Sequence, residues 1–259
     1  MTTKEGKIIT VMSCKGGVGK TITTLNLAAM YSLMNYKVLV IDLDIYGGAV
    51  ATYVNSDCDK TLYNLVDDLS NNRYQDINNY LFKYNDNISI LAAPKDPRQA
   101  NKIETKYLSI ILGTAVSHFD VVLIDTCTAL NPLNLLTLDT SDSILHIFTN
   151  DPFDIKNTSS FISIVKDTNI SNYFLLLNES IDFEKNYFST FEIRTILKTN
   201  IDFTFSKSMH VKGIDQYIME GKILALNSEL HFVNKNDLEK LKNMAVTLYT
   251  GRKGDGKDE

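Results

Sequence analysis

The run Lys15-Gly16-Gly17-Val18-Gly19-Lys20-Thr21 restricts the possible folds more than any other part of this chain of 259 residues. Before it, the apolar stretch from Lys7 to Ser13 reads as a buried strand. After it, apolar residues at helical spacing from Lys20 to Met34 read as a helix. The glycines therefore fall at a strand-to-helix turn. Backbone N–H groups can converge on phosphate oxygens only where the chain curls tightly and no side chain intervenes, which is what glycine permits. The helix N-terminus adds its partial positive charge. In such a loop Lys20 reaches the terminal phosphates and the Thr21 hydroxyl is placed to ligate Mg²⁺.

The rest of the chain repeats this alternation. Short, continuously apolar runs at Lys37–Ile41, Ile88–Ala92, Asp120–Ile124, Ser143–Phe148, Tyr173–Leu177 and Ile201–Phe205 read as strands. Helical patterns at Tyr107–Val116, Phe153–Asp167, Ile214–Gly221 and Asn236–Tyr249 lie between or after them, and Leu62, Leu65, Val66 and Leu69 share one helical face. Asn35 and Tyr36 are expected to stop the first helix. Strands without polar alternation are buried on both faces, the signature of a parallel sheet. The expected fold is α/β: a doubly wound, mostly parallel sheet with helices on both faces, in one domain over residues 1–250. The polar, glycine-rich tail 251–259 is expected to be disordered.

A magnesium–phosphate site needs hard oxygen ligands, and in an open parallel sheet these gather at the carboxyl ends of the strands. Asp42 and Asp44 follow one apolar run and Asp125 another. The expected metal set is Thr21, Asp42 and Asp125. A solvated strand end or a helix cap is the competing explanation for each acid alone.

The loop departs from the usual phosphate-binding pattern. Cys14 stands where that pattern has its first glycine, and a second lysine, Lys15, opens the loop. In this it resembles the deviant Walker A motif of the ParA/MinD family of P-loop ATPases. The resemblance implies ATP or ADP held by Gly16, Gly17, Val18, Gly19, Lys20, Thr21 and Ile22. It implies that Lys15 crosses an ATP-dependent homodimer interface to the partner's nucleotide. IDLDIYGG, from Ile41 to Gly48, is similar to the family's first switch, where Asp44 would help position the attacking water. IDTCTAL, from Ile124 to Leu130, is similar to Walker B plus the second switch, although Cys127-Thr128 replace two prolines common there. Asn178, closing LLLNES, matches the asparagine that contacts adenine, though a turn-forming asparagine is also common after a strand. Lys15, Lys20 and Asp44 are thus the expected catalytic residues.

Three longer segments, Ile90–Ala100, Phe119–Thr126 and Leu135–Ile162, resemble the TadZ/CpaE group of pilus-assembly ATPases. That likeness implies a switch that positions a pilus or secretion apparatus through a protein partner, with slow, partner-stimulated hydrolysis. A plasmid or chromosome partition ATPase and a MinD-like division or flagellar-number regulator remain alternatives. So does a small-molecule enzyme of the same fold, such as a dethiobiotin synthetase relative or a nitrogenase-type reductase.

Composition weighs among these. The net charge of −5 argues against DNA as a partner without removing the chance of a local basic patch. The apolar runs fall short of the roughly 20 residues of a membrane span. No secretory leader is read in Met1–Gly6. The three cysteines, Cys14, Cys58 and Cys127, form neither a disulfide framework nor a metal motif, and the expected location is the cytoplasm, with recruitment to a pole or membrane complex by a partner. A reductase would need a second cysteine suited to a cluster shared between subunits, and none is evident. His118, His146, His210 and His231 lack metal-ligand spacing.

Overall fold

Apolar residues in the strands alternate between two helical layers, and that alternation organises the whole molecule. A computed structural model describes residues 5–168, 170, 172–180, 183–206, 211, 213–227 and 235–252. The expectations for His210, His231 and the tail from 253 onward lie outside these residues. The strands are β1 (Lys7–Met12), β2 (Val38–Leu43), β3 (Phe82–Lys83), β4 (Ile88–Leu91), β5 (Val121–Thr126), β6 (Ser143–Thr149), β7 (Tyr173–Asn178) and β8 (Phe203–Phe205). The helices are α1 (Lys20–Leu33), α2 (Val50–Tyr53), α3 (Leu62–Ser70), α4 (Thr105–His118) and α5 (Pro132–Thr140). They continue with α6 (Pro152–Lys166), α7 (Thr190–Leu197), α8 (Ile214–Met219) and α9 (Lys235–Thr250).

The sheet order is β3-β4-β2-β5-β1-β6-β7-β8. Every neighbouring pair is parallel except β3, which runs antiparallel to β4 at the edge. The expected doubly wound architecture is therefore present. Ile9 and Val11 of β1, with Val38 and Val40 of β2, face a layer built by α1 and α9, where Leu27, Ala28, Met244 and Leu248 are buried. Ile8, Leu39, Ile41, Val122 and Ile124 point the other way, onto Leu65 of α3 and Leu108, Ile111 and Ala115 of α4. Farther along the sheet, Leu175 and Leu177 meet Ile155 and Ile162 of α6 and Ile193 of α7.

Because β1 lies between β5 and β6, the chain leaves its end toward β2 on one side while β6 occupies the other. Such a point opens a crevice at the carboxyl ends of the strands. The loop Lys15–Thr21 sits there.

Three helices were not read from sequence: the single turn α2, α5 and α7. α5 begins at Pro132 with Asn131 as its cap, but Asn134 and Thr137 share its buried side, which blurs the apolar period. α7 is short and starts at a capping box between Ser189 and Glu192. The end of α1 is as expected: Asn35 takes a left-handed φ of 64°.

The expected tail disorder does not begin at Gly251. The backbone N–H of Arg252 donates to Asn172 Oδ1 at 2.9 Å, and its guanidinium donates to the Tyr173 carbonyl and Asp202 Oδ1, each at 2.9 Å. The same guanidinium lies 5.1 Å from the Phe174 ring centre. Charge pairing and stacking hold the chain against β7 through Arg252, which a compositional reading of the tail misses.

Among the described residues no helix is long and apolar enough to cross a membrane. One stability prediction follows from the lower edge of the sheet. The Gly6 N–H donates to the Val116 carbonyl at 2.8 Å, and a Cβ at Gly6 would lie 2.0 Å from the Phe119 carbonyl oxygen. Both partners are backbone and cannot rotate away. Gly6→Ala is expected to lower the unfolding free energy by about 2–4 kcal/mol, the scale of severe overpacking. Urea denaturation followed by circular dichroism measures it.

Candidate nucleotide-binding site

The loop after β1 is open on the side where a ligand would sit. A Cβ added to Gly16 or Gly17 would meet nothing within 4 Å. Gly17 and Gly19 have φ of 74° and 99°, the left-handed region that bends the loop before α1. Val18 points the opposite way and is buried in the layer of α1 and α9. Partly exposed Ile22 lies under Gly19, its Cγ2 3.6 Å from a Cβ built there.

Ser13, buried at the end of β1, ties the loop together. Its hydroxyl donates to the Lys15 carbonyl at 2.7 Å, and Lys20 Nζ donates to that hydroxyl at 3.1 Å. Sequence reasoning missed Ser13, because nothing marks a serine at a strand end as more than a small residue.

The three acids lie at one edge of the sheet, as expected, but they differ in what they hold. Asp42 and Asp125 are register partners on β2 and β5. Asp125 Oδ2 accepts the Thr21 hydroxyl at 2.6 Å. Its Oδ1 is buried and has no partner among the described residues. Asp42 has both oxygens engaged: Oδ1 accepts the Asp44 N–H and Oδ2 the Val50 N–H, each at 3.0 Å. A Cβ at Gly48 would come within 2.9 Å of Asp42 Oδ2, so the glycine lets the backbone close over that carboxyl. Asp44 is partly exposed and caps its own turn, accepting the Gly47 N–H at 3.3 Å. Thr126 Oγ1 donates to the Val11 carbonyl at 3.0 Å and fixes the end of β5 to β1.

Among the described residues no three His, Cys, Asp or Glu side chains converge as a metal cage. Thr21 beside Asp125, with a free carboxyl oxygen under an open phosphate cradle, nevertheless fits a Mg²⁺ that takes most of its other ligands from phosphate and water. Asp42 stands behind them as a clamp on the turn from Asp44 to Val50.

Burial raises both carboxyl pKa values. Asp42 is pushed up to about 8 by desolvation first and by the neighbouring Asp125 second, while the Val50 and Asp44 N–H groups pull it back. Asp125 is raised by desolvation as well, with the Thr21 hydroxyl and Lys20 opposing. A folded-state pKa above the unfolded value means that the folded chain binds the proton more tightly. Stability from this source is present below about 4 and is lost as pH rises toward about 8. The melting temperature of the nucleotide-free protein is thus expected to fall across that window, and Asp42→Asn is expected to flatten the slope. A scan of melting temperature against pH for both proteins tests it; equal slopes would refute the assignment.

Lys15 is half-exposed, and its Nζ lies 3.2 Å from Asp151 Oδ2. Asp151 caps α6, accepting the N–H groups of Phe153 and Asp154 at 3.0 Å. Those N–H groups and Lys15 hold its carboxyl below the usual range. Asp151 was also missed from sequence, although Asp151-Pro152 after an apolar run is a helix-start signature at the site's own edge of the sheet. Asn178, at the end of β7, donates its amide to the Val18 carbonyl at 2.9 Å and so grips the loop directly. Cys14 and Cys127 follow the adjacent strands β1 and β5. Burial pushes the Cys14 thiol up to about 11.

Comparison with known proteins agrees with this geometry. A family model described as AAA domain matches residues 6–183. An ATP-binding protein of uncharacterized role from Methanocaldococcus jannaschii is 30% identical over 149 residues, 57% of this chain and 55% of that protein. The chain spans about half the length of the curated relatives it matches. Among solved structures, a ParA family ATPase from Chlorobium tepidum superposes with a TM-score of 0.79 at 16% identity, covering 93% of this chain and 99% of that one. The septum site-determining protein MinD of Pyrococcus horikoshii, complexed with Mg-ADP, gives 0.76 at 18% identity, covering 92% and 95%. At these identities the structures establish a shared fold.

Proposed function

The chain belongs to the AAA domain family and has the ParA/MinD-type P-loop fold, and from that premise we propose that it binds and hydrolyses ATP as a dimerisation switch. The observation that carries this reading is the set Lys20, Thr21 and Asp125. A cation is held on a hydroxyl at the mouth of the loop, and beside it a hydroxyl–carboxyl pair keeps one oxygen unpartnered. Backbone N–H groups of Gly16 to Thr21 bind the phosphates, and Lys20 moves from Ser13 onto them. Thr21 and Asp125 would hold Mg²⁺, which would supply positive charge against the phosphate oxygens. Asp44, on the turn after β2, orients the attacking water. Asn178 positions the loop and lies where the base would be read.

Lys15 belongs to the switch rather than to the cradle. In the single chain it rests on Asp151, an exposed ion pair worth at most about 1 kcal/mol, so a phosphate can take the lysine away. Exposed apolar side chains follow the site residues: Tyr46 after Asp44, Leu130 after Asp125, and Phe153 after Asp151. A second copy facing the nucleotide would cover them and bring its own Lys15 to the phosphates. On the likeness of three segments to pilus-assembly ATPases, we assign the switch to positioning a pilus or secretion apparatus through a protein partner.

The test is nucleotide binding and turnover by the purified chain. ATP and ADP are expected to bind in Mg²⁺, ATP to be turned over slowly, and a chelator to stop turnover. No binding of either nucleotide would reject the reading.

A further inference from the structure

At the end of β5, beside the phosphate cradle, the chain builds a small pocket at a thiol. It has room for a single water-sized group and is lined by Ser13, Thr126, Cys127, Asn134 and Leu138, among others. Asn134 is buried, with 4% of its surface exposed. Its amide nitrogen donates to the Ala129 carbonyl at 2.6 Å and to the Cys127 carbonyl at 3.2 Å. Two carbonyl acceptors fix which end of the amide carries the hydrogens. The other end, Oδ1, is buried without a partner among the described residues, an acceptor that calls for a donor. The same Asn134 nitrogen lies 3.2 Å from Cys127 Sγ, and Asn131 Nδ2 donates to that sulfur at 3.5 Å.

We propose that Cys127 is a site of reversible oxidation by hydroperoxides, and that Asn131 and Asn134 hold its sulfenic acid. The thiol attacks the peroxide: the S–H and O–O bonds break and an S–O bond forms. Sulfur loses two electrons, the peroxide is reduced, and water leaves when the oxidant is hydrogen peroxide. The new S–O–H group supplies the donor that Asn134 Oδ1 lacks, while the Asn131 amide nitrogen donates to the sulfur. The pocket accommodates one added oxygen atom, which favours this first oxidation product over bulkier ones. Return to the reduced form takes two thiols: the first condenses with the sulfenic acid to a mixed disulfide and releases water, and the second displaces Cys127 as a thiol and leaves as the disulfide of the reductant.

The other two cysteines lack this setting. Cys58 is 5% exposed, and its sulfur contacts the Ser56 hydroxyl at 3.6 Å. Cys14 packs beside Met12, Phe161 and Tyr173. Burial raises the pKa of both thiols, which slows their oxidation.

The full chain is treated with hydrogen peroxide, trapped with dimedone, and the adducts are counted by mass spectrometry. This readout is independent of nucleotide binding, so it stands or falls separately from the ATPase reading. The adduct at Cys127 is expected to exceed those at Cys14 and Cys58 by about tenfold, and prior treatment with dithiothreitol to remove it. Asn131 caps α5 by accepting the Asn134 N–H at 2.8 Å. Asn131→Ser keeps a capping oxygen but deletes the amide donor, and a melting curve confirms the fold. It is expected to lower the Cys127 adduct by about fivefold and leave the other two unchanged. Equal labelling of all three cysteines, or an undiminished Cys127 adduct in the folded Asn131→Ser variant, would overturn the proposal.

Discussion

Replacing Lys20 by alanine is expected to weaken ATP and ADP binding by about a hundredfold or more, the scale of losing a charged partner from a desolvated hydrogen-bonded pair. The loss should be nearly equal for the two nucleotides if the lysine engages phosphates common to both, and larger for ATP if it also reaches the terminal one. The fold should tolerate the change. Among the described residues Lys20 Nζ is held by the neutral Ser13 hydroxyl and by attraction to Asp125, and its stem stands at the start of a helix whose buried face lies elsewhere. Calorimetric titration with Mg-ADP checks the prediction. Lys15, the other lysine of the loop, lies beyond Gly16, Gly17 and Gly19 and is turned to Asp151.

Asp44→Ala is expected to act on turnover alone, lowering the rate of ATP hydrolysis by about a hundredfold to ten-thousandfold while nucleotide affinity changes by less than about threefold. Asp44 is placed for this division of labour. It follows Asp42, whose two oxygens are anchored by the Asp44 and Val50 N–H groups, so the backbone at the strand end is fixed. The Asp44 carboxyl itself makes one long hydrogen bond, to the Gly47 N–H at 3.3 Å, and is free to reach a water. Removing a group that orients the nucleophile raises the barrier without removing a phosphate contact. Steady-state phosphate release beside a nucleotide titration separates the two quantities. A matching loss of affinity would place Asp44 in binding instead.

The sheet and the loop were legible in the sequence because local signals agree there. Apolar runs such as Val38–Leu43 and Val121–Thr126 are buried along their whole length, so their lack of alternation pointed to a parallel sheet. Gly16 to Gly19 between strand and helix left one chemical reading. The strand-end acids were found, but their division of labour was not. Asp42 and Asp125 look alike in sequence, and only the Val50 N–H and the close approach of Gly48 at the one and the Thr21 hydroxyl at the other tell their surroundings apart. Asp151, Ser13 and the two asparagines of α5 were missed for a related reason. Asp151 acts through an ion pair with Lys15, far away in the chain, while Ser13 and the two asparagines act through turn contacts two to seven residues away that apolar spacing does not mark. Arg252 shows the same limit in a tail whose composition alone suggests disorder.

We propose that Lys15 makes this loop a switch between one chain and two. Light scattering of the gel-filtered protein in ADP and in ATP tests it most directly, using Asp44→Ala as the background so that ATP persists. The account predicts a monomer in ADP and a dimer in ATP for Asp44→Ala. It predicts a monomer in both for the double variant Lys15→Ala/Asp44→Ala, with nucleotide affinity within about threefold of the single variant, since only an exposed ion pair to Asp151 is lost within the chain. A double variant that still dimerises in ATP would contradict the account and reduce Lys15 to an incidental neighbour of an ordinary phosphate loop.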